Sequence, residues 1–99
     1  MNDSANVERL MGIKRFLDKA GDDPEVNSVS MFLEESKCSL PLILCDSEER
    51  IAKPNPAQEA KATSYQEAAI LFVMWARFFP GLGGGVVILD SSRNKVFSR

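Results

Sequence analysis

The chain has 99 residues, 44% hydrophobic and 26% charged, with a formal net charge of −2. That is the make-up of one globular domain, residues 1–99, able to bury about 65% of its extended surface without metals or disulfides. A single Trp, a single Tyr and no dense Lys/Arg stripe argue against a base-stacking platform or a duplex-binding face, so no nucleic-acid partner is expected.

The first helix is marked by Leu10, Ile13, Leu17 and Ala20 at three- and four-residue steps, joined by Phe16. Asp3 or Ser4 is placed to cap its start, and Gly21 to follow its last turn as a C′ residue. Gly12 falls inside the helix, where it costs up to about 1 kcal/mol against Ala; it is read as tolerated there, with close approach by a neighbouring element as the alternative.

Asp23-Pro24-Glu25 reads as an N-cap, a Pro at N1 and an acidic first turn. Val26, Val29, Phe32 and Leu33 continue at helical spacing, predicting a helix over 24–36. Val29, Met31 and Leu33 also alternate as a strand would, but the cap favours helix.

A hairpin is expected next. Leu40 to Cys45 is an apolar run, Asp46-Ser47-Glu48-Glu49 is turn-like, and Arg50-Ile51-Ala52-Lys53 is the expected return strand. Pro41 lacks a donor and belongs at a strand start or edge.

Lys53-Pro54-Asn55-Pro56 breaks the chain and opens a helical region over 56–79. Asn55 is placed to cap, with Pro56 at N1, and Ser64-x-x-Glu67 matches a capping box. One helix over the whole span would be about 36 Å long, so two helices meeting near Thr63 are expected. The second, 64–79, is apolar nearly all round and is expected to be buried, with Trp75 at its centre.

Pro80 and Gly81 stop that helix, and the glycines through Gly85 connect it to a strand at Val86–Leu89. Asp90 to Asn94 turns and Lys95 to Ser98 returns. Leu42-Ile43-Leu44-Cys45-Asp46-Ser47 looks like Val86-Val87-Ile88-Leu89-Asp90-Ser91: four apolar residues, then Asp-Ser. The expected fold is therefore α+β: two N-terminal helices, a β-hairpin, a long or broken buried helix and a C-terminal β-hairpin, with a small antiparallel sheet packed on helices.

Histidine is absent. That removes the commonest general base, the Ser-His and Cys-His pairs and the usual zinc ligand. The acidic pairs Asp22-Asp23, Glu34-Glu35 and Glu48-Glu49 fall in loops, caps or turns, and adjacent side chains point apart. Gly81-Leu82-Gly83-Gly84-Gly85 has the composition of a phosphate cradle, but the order is helix, glycines, strand, the reverse of a phosphate loop. No catalytic, cofactor-binding or metal-binding residue is therefore assigned, and no cofactor. Cys38 and Cys45 are expected as free thiols. With the polar stretch Met1 to Ala5, which has no apolar signal core, they lead to the expectation of a cytoplasmic location. Ala68 to Leu89 carries one charge over 22 residues, yet its Pro and glycines argue against a membrane span.

Residues 42–60, with Asp46, Arg50-Ile51 and Asn55-Pro56-Ala57, resemble the early strands of a PAS sensory domain, without the usual turn glycine and with too few strands after the helix. The order of elements is similar to roadblock and profilin-like dimerisation folds, without a sequence signature. The expected function is a non-enzymatic protein–protein interaction module (a regulator, adaptor, inhibitor or immunity-type protein) that forms a homodimer through helix surface or a sheet edge. Residues 1–50 carry 11 acidic against 6 basic side chains, net −5, and residues 51–99 carry 3 against 6, net +3. These halves could meet across a twofold axis. The alternatives are a small-molecule sensor, with a pocket between the sheet and helix 64–79, or a small carboxylate- or thiol-dependent enzyme.

Overall fold

The two apolar runs that look alike in sequence lie side by side at the centre of the sheet. The computed structural model describes residues 3–79 and 85–98. In chain order its elements are α1 (Asp3–Asp18), α2 (Pro24–Ser36), β1 (Leu42–Cys45), α3 (Glu49–Ala52), β2 (Glu59–Ala62), α4 (Tyr65–Phe78), β3 (Val87–Leu89) and β4 (Lys95–Ser98). The strands form one antiparallel sheet in the order β2-β1-β3-β4. Central pairing sets Ile43 opposite Leu89, Leu44 opposite Ile88 and Cys45 opposite Val87.

All residues of β1 and β3 are buried, because both faces of these strands are covered. Leu42, Leu44 and Ile88 face the main core with Val26, Val29 and Leu33 of α2 and Phe72 and Val73 of α4. Ile43, Cys45, Val87 and Leu89 face the other way and form a smaller cluster under Ile51 of α3.

Residues 50–53 are not the return strand. Arg50 N and Ile51 N donate to Ser47 O and Glu48 O, which closes the short helix α3. The strand beside β1 is β2, pairing Leu42 with Ala62 through Cys45 with Glu59. The helix expected from Pro56 is likewise corrected. Asn55 Oδ1 accepts from Ala57 N at 3.2 Å as a cap should, but only a 3-10 turn, Pro56–Gln58, follows. A buried central strand needs backbone partners along both edges, and β3 supplies only one. That demand draws residues 59–62 into the sheet.

The capped helices form where expected. Asp23 Oδ1 accepts from Glu25 N at 2.9 Å and Val26 N at 3.1 Å, and α2 ends at Lys37 in the left-handed region, φ 53°. Ser64 Oγ accepts from Glu67 N at 3.1 Å, while the Glu67 carboxylate takes the Thr63 hydroxyl at 3.5 Å. Ala68, Ala69, Phe72 and Val73 form the buried stripe of α4. Trp75 falls beside that stripe and is half-buried, not buried as its central position suggested.

α1 packs on α4 through a face different from the one its periodicity suggests. Phe16 and Ala20 are buried and Ile13 is half-buried, but Leu10 and Leu17 are 65% and 49% exposed. The contact is close at Gly12, where a Cβ would sit 2.9 Å from Phe78 Cε1. Phe16 packs on Phe78 at 5.9 Å between centroids. α1 begins at Asp3, so Ser4 lies within its first turn, and Gly21 is not left-handed but part of a 3-10 turn, Ala20–Asp22. The connector Pro80–Gly84, with the reversed phosphate-cradle reading it carried, lies outside the described residues. Among the described residues no helix is long and apolar enough to cross a membrane.

Candidate functional site

Where the C-terminal half of α4 passes the start of β2, a groove of about 300 Å³ opens to the surface. Trp75 of α4 and Phe79, which follows the helix, form the aromatic wall. Ala57, Gln58 and Glu59 form the opposite side, and Asp46 the end beyond β1. Its volume is at the lower end of small-ligand pockets, and its composition, apolar with a few polar groups, is typical of them.

The carboxylates at the groove are each paired with an arginine, the more exposed member of the pair. Arg93 Nη1 and Nη2 donate to Glu59 Oε1 at 3.3 Å and Oε2 at 2.9 Å, and Nη2 also reaches Arg50 O at 3.1 Å. Arg93 arrives there from the β3–β4 turn. Asp90 Oδ1 accepts from Ser92 N and Asn94 N, each at 2.9 Å, and Arg93 takes a left-handed φ of 65°. That conformation is unfavourable for a non-glycine residue, and the bidentate pair with Glu59 is the compensating contact. The guanidinium holds the Glu59 carboxyl below its ordinary pKa. Asp46 Oδ1, buried and without a hydrogen bond, lies 3.4 Å from Arg50 Nε.

Cys45 lies beneath this pair, its Sγ 3.7 Å from Glu59 Oε2. Burial, reinforced by the Glu59 charge, pushes its thiol up to about 11. It is protonated at neutral pH and is not an activated nucleophile. Cys38 is half-buried, and both thiols are free.

None of the acidic pairs singled out in the sequence forms a dyad. Asp23 caps α2 and binds Arg77, Glu48 binds Lys95 Nζ at 2.9 Å, and Glu34 and Glu35 are exposed. The two carboxylates that do converge on a groove, Asp46 and Glu59, are 13 residues apart in sequence, and periodicity gave no sign of them. Glu59 falls in the span that Asn55 and Pro56 predict to be helical, so the sequence does not mark its place opposite Cys45. Among the described residues no group of three or more potential ligands could hold a metal ion.

A second open feature is the outer side of α1. Val7, Leu10, Met11 and Leu17 are 49–65% exposed and recur at helical spacing. They lie opposite the Gly12, Ile13 and Phe16 side that rests on α4. Asp3, Glu8 and Arg9 lie in the first half of the helix, and Lys14, Arg15 and Asp18 in the second.

Comparison with known proteins finds no family model that matches the chain, no similar curated protein and no similar solved structure.

Proposed function

We propose that this protein is a non-enzymatic interaction module that self-associates through the outer face of α1. The observation that carries the reading is the exposed stripe Val7, Leu10, Met11 and Leu17. Four large apolar side chains on one helix face, each about half exposed or more, are a liability on a monomer and the normal surface of an interface.

The charge pattern of α1 favours a second copy as the occupant. The first half of α1 (Asp3, Glu8, Arg9) is net −1 and the second (Lys14, Arg15, Asp18) net +1, and these complement each other when two such helices run antiparallel. A twofold axis on the outer face, level with residue 12 along the helix, sets Val7 of each copy against Leu17 of the other, and Glu8 against Arg15, twice by symmetry. Lys14, in the middle of the stripe, covers apolar surface with its stem. The helix dipoles also oppose favourably.

The non-enzymatic reading is supported by the groove itself. Two carboxylates reach it, as a hydrolase would require, but Glu59 is held ionised by Arg93 and lacks the raised pKa of a general acid. The nearby thiol is pushed away from reactivity. Two free cysteines, one of them buried, support residence in the reducing cytoplasm.

Light scattering coupled to gel filtration at micromolar concentration tests the reading. The expected mass is twice the 11.0 kDa of one chain. Leu10→Glu alters a side chain that is 65% exposed, so it should leave the fold intact and yield a monomer. A wild-type mass of one chain at every concentration, or a dimer unaffected by Leu10→Glu, overturns the α1 interface.

A further inference from the structure

We propose that residues 46–58 form a flap over the outer face of the sheet, and that Arg93 is the latch that holds it shut. The flap leaves the sheet after Cys45 and returns at Glu59, and these two residues pair across β1 and β2. It is a surface loop with close ends, which can lift without unzipping its strands. No side chain between Asp46 and Gln58 is fully buried. Among the described residues, Ile51 is the one half-buried apolar side chain packed on Ile43, Cys45, Val87 and Leu89. A segment with so little apolar contact belongs to the part of a fold that opens first.

Two side chains of the β3–β4 hairpin hold the flap down. Lys95 Nζ meets Glu48 Oε1 at 2.9 Å, but both side chains are about half exposed, and such a pair contributes little. Arg93 is different. Its Nη2 donates to Arg50 O, inside α3, at 3.1 Å and to Glu59 Oε2, on β2, at 2.9 Å. One guanidinium thus ties the middle of the flap to the strand where the flap ends. The Cys45 thiol lies under this junction, 3.7 Å from Glu59 Oε2. Asp46, Ala57 and Gln58 of the flap also face Trp75 and Phe79 across the groove. Release of Arg93 therefore uncovers the thiol and takes away one side of the groove in the same movement.

Native labelling of Cys45 by a maleimide, in a Cys38→Ser background where it is the sole thiol, reads the opening. With the latch in place Cys45 should resist the reagent. Arg93→Gly removes the guanidinium but suits the left-handed φ of 65°, so the turn itself is kept. It should label about tenfold faster or more, the loss of a charged hydrogen bond. That rate should be flat in urea up to about 1 M, because a local opening exposes little surface. Lys95→Ala should change the rate by about threefold or less. Ile51→Ala keeps the latch, removes the apolar anchor, and should also speed labelling. Trypsin gives a readout without the thiol: it should cut Arg93→Gly first after Arg50, within the flap. Equal labelling of the wild type and Arg93→Gly overturns the latch, as does an equal acceleration by Lys95→Ala. An acceleration that climbs steeply with urea reports unfolding of the whole chain and overturns the flap, as does unchanged labelling in Ile51→Ala.

Discussion

Arg77, in the last turn of α4, grips Asp23, the N-cap of α2, with two hydrogen bonds of 2.8 and 3.1 Å. Residues 54 positions apart thus join the end of one helix to the start of another. The same guanidinium reaches Glu25 at 3.1 Å and lies over Phe16, so three helices meet at this one side chain. Asp23 does two jobs here, receiving the α2 backbone N–H groups as well as Arg77.

That double role separates two substitutions. Asp23→Asn keeps a capping oxygen and loses the charge, whereas Asp23→Ala loses both. Thermal unfolding should show a lower midpoint for Asp23→Ala than for Asp23→Asn, with both below the wild type. Equal midpoints would mean that the cap contributes nothing beyond the ion pair.

Acid should destabilise the protein through the same pair and through Glu59. Arg77 lowers the Asp23 pKa and Arg93 lowers that of Glu59. A depressed folded pKa contributes stability that is fully present above the unfolded value, about 4 for carboxylates. It is lost as pH falls through the folded value. Urea unfolding should therefore give a midpoint that is steady above pH 5 or so and declines below about 4. In an Arg77→Met, Arg93→Met double variant the decline should be shallower.

The Gly12–Phe78 contact should suppress an otherwise favourable change. Gly to Ala in a helix interior ordinarily gains about 1 kcal/mol. At Gly12 the new Cβ meets the Phe78 ring at 2.9 Å, and the ring, itself packed on Phe16, must turn aside. Gly12→Ala should therefore give little or no gain in the wild type, and close to the full ~1 kcal/mol in a Phe78→Leu background. Equal gains in both backgrounds would show that the ring moves freely.

The two thiols should differ in reactivity. In the native protein a thiol reagent should modify half-buried Cys38 and spare Cys45, and after denaturation both should react. Because the folded pKa of Cys45 is raised from 9.0 to about 11, its contribution to stability is full below pH 9 and fades as pH rises through 11. Rapid native labelling of Cys45 would mean that the sheet face under Ile51 opens readily.

Core substitutions should rank by burial along α4. Phe72, 1% exposed, should cost about 3–5 kcal/mol on replacement by Ala. Trp75→Ala should cost clearly less, since Trp75 packs on the edge of the core and is only half-buried. A larger loss at Trp75 would place the main packing on the groove side of the helix.

The sequence by itself determined the features whose causes are local. Asp23-Pro24 and Ser64 with Glu67 start α2 and α4 because a capping oxygen needs only backbone N–H groups two or three residues ahead. The apolar runs at Leu42–Cys45 and Val87–Leu89 are strands because they are short, apolar and ended by Asp-Ser turns. What only the tertiary structure decided depends on partners distant in the chain. Glu59-Ala60-Lys61-Ala62 has little strand propensity of its own and becomes β2 because β1 leaves a backbone edge to be paired. The rotation of α1, which exposes Leu10 and buries Phe16, is set by the Phe78 ring fitting the gap at Gly12. The groove is non-local in the same way: Asp46, Glu59 and Trp75 come from three elements, and only the packing of α4 along the sheet brings them to one surface.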